Sequence, residues 1–402
     1  MRADPRGAAA ALTFAAAAAS VAYTAFAIVR VVAFGRRVAR ARRAWWPAGE
    51  LHAMPALHPT ITVLKPVRGV EPELVRNLSS FCSQRYPAYD VVLGVRDAGD
   101  PALPLLRHVA AAFPDHVSIV TGDGAARCRN PKIATLLPMA ERTSGEIVVV
   151  ADSDMRVEPD YLEAVAAAFR DPRVGAATAL YRGEPADGGV ASRLGAMWIT
   201  SQFAPSVLVA TAVEPLTYCF GSTMAVRRTV LERIGGLAAL GNKLADDHML
   251  GRLVSDAGFR VSLLPYVVEN TVSEPSLRAL VAHEVRWART IRALRPASYA
   301  GIVLTYPLAL AWLHFALAHE KRNARTLFSA ALVLRAALEL SSTIALGAKP
   351  RPPQWRGLTF PLRDALGIAV WLIGLTGRSV RWRDDALHFG PGGGLASDQP
   401  TA

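Results

Sequence analysis

Between Gly7 and Val29 the chain carries 23 consecutive residues without a charge. A helix of about 20 apolar residues crosses the hydrocarbon core of a bilayer, so this run is long enough to span. It is Ala-rich and near the N-terminus, which makes a secretory signal peptide the competing reading. The run is too long for a signal peptide's apolar region. It also ends in a basic cluster: Arg30, Arg36, Arg37, Arg40, Arg42 and Arg43. We therefore expect a retained membrane helix over residues 7–34. Only Arg2 and Arg6 precede the run. The positive-inside rule then places everything after it in the cytoplasm, and a bacterial inner membrane suits that topology.

Composition agrees with embedded segments. Of 402 residues, 51% are hydrophobic and 19% charged, against about 25% charged in soluble domains. Such a chain is too apolar to be mainly disordered. The net charge of +12 asks for anionic partners such as phosphates or acidic lipid. Nucleic acid is not expected: no recognition motif or basic-aromatic stripe is visible, and much of the Arg excess flanks apolar segments. Three widely spaced cysteines, Cys82, Cys128 and Cys219, make neither a zinc site nor a disulfide framework.

Residues 59–295 read as an α/β domain with a mainly parallel sheet, because short β-branched runs alternate with helical stretches. Strands are expected at Thr60–Leu64, Asp90–Val95, Val117–Thr121, Glu146–Ala151, Gly175–Leu180, Ser222–Val226 and Val261–Leu264. Helices are expected at Pro72–Cys82, Ala102–Phe113, Pro131–Arg142, Pro159–Phe169 and Asp246–Ala257. Residues 299–378 turn apolar again and predict two to three further membrane helices. Tyr299–Ala318 is a good span. Thr326–Leu346 is weaker, with Arg335 and Glu339 four apart on one face, where they can pair. Asp364–Gly377 is a short span or an interfacial helix. From residue 389 to 402 the chain is rich in Gly and Pro and reads as a disordered tail.

Five short pieces can carry chemistry. Asp152-Ser153-Asp154 leaves an apolar strand as an extended segment with both carboxylates on one side, at the edge where open α/β sheets bind ligands. Paired carboxylates there suit a hard divalent cation that holds a diphosphate, or else they cap a helix. Asp97 closes another strand and is either a nucleoside ligand or a turn residue. Asp246-Asp247 opens a helix; one carboxylate suffices for a cap, so a second is available as a general base. Arg286 and Trp287, in HEVRWART, offer a charge and a stacking platform, or an interfacial anchor. Lys132, after Asn130-Pro131, sits at a helix start where amides and an ammonium can meet a phosphate, although a solvated Lys is the plainer reading.

Together these pieces resemble the ceramide glucosyltransferase family. The matching stretches are ITVLKPVRGVEPELVRNLSSFCSQRYPAYDVVLGVRDAGDPA, NPKIATL, VVVADSDMRVEPDYL, CFGSTMAVRRTVLERIGGL, LADDHMLG and HEVRWART. They run in the family's order over about residues 60–295. The resemblance implies a GT-A nucleotide-sugar domain, three Asp sites and a (Q/R)xxRW motif. Asp97 matches the nucleotide site. Asp152 matches the second, with Asp154 completing a DxD that holds Mg²⁺ or Mn²⁺. Asp247 matches the catalytic base, and Asp246 stands where the family often has Glu. Arg286 and Trp287 match the RW pair, and His283 occupies the position of Gln or Arg. The wording of HEVRWARTIR and CFGSTMAVRR is closer to a bacterial branch associated with hopanoid biosynthesis, whose members look like N-acetylglucosamine transferases acting on a hopanoid polyol.

The implied reaction is inverting transfer of glucose or N-acetylglucosamine from a UDP-sugar to a lipid hydroxyl, on a hopanoid or ceramide. Asp247 would take the hydroxyl proton, while Arg286 and Lys132 would stabilise the leaving diphosphate. The alternatives are a processive polysaccharide synthase, which needs more spans, and an inactive membrane scaffold, which the intact carboxylate sites argue against.

Overall fold

The computed structural model describes residues 5–45, 58–123, 128–349, 359–377, 379–382, 385–388 and 394–395. A 41-residue helix, α1 (Pro5–Trp45), opens the chain. The α/β domain follows in the order β1 (Ile61–Val67), α2 (Leu74–Cys82), β2 (Tyr89–Val95), α3 (Leu103–Ala112), β3 (Val117–Thr121), α4 (Pro131–Ala140), β4 (Ile147–Val150), β5 (Met155–Arg156), α5 (Tyr161–Ala168) and β6 (Val174–Pro185). Next come α6 (Val190–Trp198), a π-helical turn at Ile199–Phe203, α7 (Ala204–Val213), β7 (Met224–Arg227), α8 (Arg228–Arg233), α9 (Asp246–Asp256) and β8 (Arg260–Val272). The C-terminal part holds α10 (Leu277–Leu294), α11 (Pro296–Gly301), α12 (Pro307–Ala318), α13 (Arg322–Ala345) and α14 (Thr359–Gly374), then a hairpin of β9 (Ser379–Trp382) and β10 (Asp385–His388).

All seven expected strands form, and they join one eight-stranded sheet in the order β3-β2-β1-β4-β7-β6-β8-β5. Strands β3, β2, β1 and β4 are parallel. The sheet is nevertheless mixed rather than mainly parallel beyond β4, because β7 is antiparallel to both β4 and β6. The reason lies in the α6–α7 excursion. It leaves the carboxyl end of β6 and returns to the same edge, so β7 must run downward. That return sets the loop before β7 beside the loop after β4, since Met224 pairs with Val150.

Side chains alternate across each strand, and both faces are covered. Ile61, Val63 and Val67 of β1 pack with α2, α3 and α5, around Leu78, Phe81, Leu106 and Tyr161. Leu64 faces the other way, among Ile133, Leu136 and Met139 of α4 and Leu250 of α9.

Among the described residues, three helical stretches are long and apolar enough to cross a membrane: Gly7–Ala44, Val190–Val213 and Arg322–Ala345. The second was not expected from sequence, and it is mostly packed inside the protein. The expected span Tyr299–Ala318 is broken. Pro296–Thr305 and Pro307–Ala318 meet at 68°, because Pro307 excludes the helical conformation at Tyr306, whose φ is −113° and ψ 70°. Of the tail read as disordered, Gly394 forms a bridge with Lys243 and Leu395 is buried. The rest of that tail lies outside the described residues.

Candidate active site

The chain leaves β4 in a turn, not the extended segment the sequence suggested: Met155 N–H donates to the Asp152 carbonyl at 3.3 Å. The two carboxylates consequently meet different partners. Asp152 Oδ1 lies 2.7 Å from Lys132 Nζ. Asp154 Oδ2 accepts from Asn270 Nδ2 of β8 at 2.8 Å. Its Oδ1 is buried without a hydrogen-bond partner. Burial pushes the Asp154 pKa up, and the neighbouring charges of Asp152 and Glu71 add to the rise.

Lys132 is not a solvated lysine. Its Nζ also lies 2.9 Å from Asp246 Oδ2, so it bridges the carboxylates of two loops. Burial opposes its charge, but Asp152 and Asp246 outweigh that and hold its pKa above the ordinary lysine value. The first amides of α4 are not free for a phosphate either. The Asn130 side chain caps the helix, accepting from Lys132 N–H at 3.0 Å and Ile133 N–H at 3.3 Å.

Asp246 and Asp247 begin α9, but Ala245 is the N-cap and neither carboxylate serves as its cap. Asp247 Oδ2 accepts from Gly221 N–H at 3.1 Å, and its Oδ1 from His248 N–H at 2.7 Å. Burial, reinforced by Asp246, raises its pKa toward neutrality against the pull of Lys132. A carboxylate so placed is a better proton acceptor at neutral pH than an exposed one. The Gly221 carbonyl in turn accepts from Asp152 N–H at 3.0 Å. One glycine therefore ties the DxD turn to Asp247.

Beneath the turn lies Lys65 of β1, fully buried. It donates to the Asp152 carbonyl and stands 3.8 Å from the centre of the Phe81 ring. Burial lowers its pKa to about 7, while Asp154 and Asp152 pull the other way. The sequence reading missed Lys65 because a lone Lys in an apolar strand carries no motif. Gly221 lies within a stretch that resembles the family but acts through its backbone, which residue type does not reveal, and Asn270 lies outside those stretches.

Trp287 of α10 is an internal contact more than an interfacial anchor. It stacks on Trp198 of α6 with ring centres 5.0 Å apart and planes at 21°. The His283 ring centre lies 4.2 Å from that of Trp287. Rings continue from Trp198 through Phe203, Phe220 and Tyr218 to His248, beside Asp247. Arg286 is half-buried. Burial draws its pKa down, opposed by Glu274 and by Asp152, so it lies within electrostatic reach of the DxD turn. Asp97 stands apart, exposed at the end of β2. Its Oδ1 accepts from Gly99 N–H at 2.9 Å, as a turn residue does. It shares the carboxyl edge with Asp152, two strands away.

The DxD pair suits a hard cation: all donors are carboxylate oxygens, and Asp154 Oδ1 is a buried acceptor in want of a partner. Among the described residues no group of three or more His, Cys, Asp or Glu is placed to hold a metal. Remaining ligands would come from the diphosphate and water, as is usual for Mg²⁺.

A doubly covered α/β sheet with DxD at its carboxyl edge, linked through Gly221 and Lys132 to an acidic helix start, defines a GT-A glycosyltransferase. The model of glycosyl transferase family 21 matches residues 12–395, and this chain belongs to that family. Over 344 residues it is 20% identical to ceramide glucosyltransferase 3 of Caenorhabditis elegans, covering 83% of this chain and 74% of the relative. It is 24% identical over 249 residues to an N-acetylglucosaminyltransferase of Rhizobium meliloti (strain 1021), covering 58% of this chain and 55% of that one. The fold is similar to that of mannosyltransferase PcManGT from Pyrobaculum calidifontis, solved with GDP-Man and Mn²⁺. That likeness has a TM-score of 0.50 at 19% identity, over 90% of this chain and 97% of the other.

Proposed function

We propose that this protein is a membrane-bound inverting glycosyltransferase that moves glucose or N-acetylglucosamine from a UDP-sugar to a lipid hydroxyl. A hopanoid polyol or a ceramide is the acceptor, and the site faces the cytoplasm of a bacterial inner membrane. The observation that carries this reading is the Gly221 link, which holds a half-buried, proton-accepting Asp247 in register with the DxD turn. Family relatives named for glucosyl and N-acetylglucosaminyl transfer support both donor sugars.

Asp152 and Asp154 would hold Mg²⁺ or Mn²⁺, which when bound neutralises the diphosphate of the departing nucleotide. Asp97 contacts the nucleoside from the end of β2. Asp247 accepts the proton of the attacking hydroxyl. Lys132 and Arg286 supply positive charge where the diphosphate gathers its negative charge. Trp287 and its ring neighbours form the apolar side of the cleft, adjoining the helices that reach the bilayer.

Replacing Asp247 by Asn keeps the side-chain volume and removes the base, and it leaves one acceptor oxygen for the Gly221 and His248 N–H groups. Transfer should fall about 100-fold or more, with UDP affinity changed less than about twofold. A variant that transfers at the wild-type rate would remove Asp247 from this role. Lipid extracts of cells with and without the protein identify the acceptor. A polymeric product in place of a single-sugar glycolipid would favour the synthase alternative.

A further inference from the structure

Near its C-terminus the chain comes back to the candidate donor site. Leu395 is 8% exposed. Its N–H donates to the Asn242 carbonyl at 3.1 Å, and its carbonyl accepts from Arg129 Nη1 at 3.0 Å. Gly394, before it, makes an antiparallel bridge with Lys243. One tail residue thus joins two loops, at positions 128–130 and 241–243. The first opens α4 and the second leads into α9. After Phe389, Leu395 is the one large apolar side chain in a stretch of small and polar residues. Its burial is therefore what that stretch has to hold itself down by the hydrophobic effect.

The two loops also grip each other. Asn130 N–H donates to the Gly241 carbonyl at 2.8 Å, and Asn130 Nδ2 donates to the Lys243 carbonyl at 3.0 Å. A Cβ built on Gly241 would stand 2.7 Å from Cys128 Cβ, so the backbones are in close contact. Asn130 caps α4 two residues before Lys132, and Asp246 follows Lys243 by three. Lys132 Nζ then meets Asp246 at 2.9 Å and Asp152 at 2.7 Å. From Leu395 to the DxD turn, each link is a contact or a near neighbour in sequence.

We infer that Leu395 is a positioning residue for the nucleotide-sugar donor: seated across the two loops, it holds Lys132 where the diphosphate arrives. The inference rests on the functional reading above, in which Lys132 meets that diphosphate. Leu395 acts through Arg129 and Asn242 and touches no reacting group. A displacement of about 1 Å at a group that meets the substrate can cost about 100-fold, so a small slip of either loop is felt at the donor. The tail meets donor loops only, so the acceptor is not affected. The coupling is reciprocal: bound donor must hold the tail as firmly as the tail holds the donor site.

The test uses the full-length enzyme in mixed micelles, with UDP-glucose or UDP-N-acetylglucosamine and a ceramide or a hopanoid polyol. For Leu395→Asp, the donor KM should rise about tenfold, as for one lost hydrogen bond. Its kcat at saturating donor, its acceptor KM and its melting temperature should stay close to wild type, a split that a merely structural Leu would not produce. A chain ending at His388 should behave like Leu395→Asp, and Leu395→Met should recover most of the loss. In the wild type, UDP with Mn²⁺ should slow hydrogen exchange at the Leu395 amide. An unchanged or lowered donor KM in Leu395→Asp, a fall confined to kcat or melting temperature, or exchange indifferent to UDP overturns the inference and leaves the functional reading intact. Failure of the wild type to transfer from either donor overturns both.

Discussion

Gly221 carries more of the site than any residue with a functional side chain. A Cβ built on it would stand 2.2 Å from Asp152 Oδ2, closer than any real contact. The obstructing atom is the free end of a side chain, so the fold can accommodate Gly221→Ala by turning Asp152 away. The expected outcome is a melting temperature within a few degrees of wild type, with Mn²⁺-dependent UDP binding weakened more than tenfold. Isothermal titration with and without Mn²⁺ checks this; unchanged metal dependence would mean that Asp152 is not a ligand. At this scale the sequence was a partial guide. Asp152, Asp154, Asp246, Asp247, Arg286 and Trp287 were legible because each sits in a short motif with its own chemistry. Lys132 was named, but its bridge between Asp152 and Asp246 depends on loops more than 90 positions apart, which spacing cannot reveal. Lys65 lies in a stretch that resembles the family, yet a single Lys in an apolar strand signals no chemistry until its contact with the DxD turn is seen.

The elements are tied to the site by buried charge. On α14, Arg363 and Asp364 are adjacent and both almost fully buried. Asp364 Oδ1 lies 2.8 Å from Arg335 Nε of α13, and Arg363 Nη2 lies 2.6 Å from Glu284 Oε2 of α10. The i,i+4 argument paired Arg335 with Glu339, and that contact exists at 3.5 Å. The shorter contact comes from another helix, which helical periodicity does not encode. Glu284 lies between His283 and Arg286, so the Arg363 pair braces the segment of α10 that faces the cleft. Breaking one partner of a buried pair costs about 3–5 kcal/mol, while replacing both by apolar residues is often neutral. Glu284→Gln should therefore destabilise the detergent-solubilised protein, and Glu284→Met with Arg363→Met should restore its melting temperature. If the double variant melts no higher than the single one, the pair is not the brace described here.

On the scale of the whole molecule, α1 sets the geometry. Its 41 residues at 1.5 Å each make a rod of about 60 Å, twice the ~30 Å hydrocarbon core. The outer half is a strut against the catalytic domain. Phe34 packs with Leu180 and Phe220, and Arg42 reaches Asp160 at 3.1 Å. The sequence showed where the apolar run ends but not that the helix continues, since a run of Arg suits helix and loop alike. The other membrane helices take their direction from α1. Thr13 Oγ1 lies 3.1 Å from His314 Nδ1, and Ala17 clusters with Leu308 and Ala311, so α12 runs antiparallel to α1. Ala17 clusters with Ala331, and Gly35 abuts Ala345, so α13 runs parallel to it. The turn between α12 and α13 consequently lies at the end of the bundle away from the sheet. On the topology proposed above, with the Arg-rich end of α1 inside the cell, that turn faces outside. Cys82, Cys128 and Cys219 are free, and only Cys128 is partly exposed, so Cys128→Ser gives a quiet background for labelling. In it, Glu320→Cys should react with a membrane-impermeant maleimide in intact spheroplasts. Arg173→Cys, on the catalytic domain, should react only after permeabilisation. The reverse pattern would put the sheet and its carboxylates outside the cell, where no cytoplasmic nucleotide sugar reaches them.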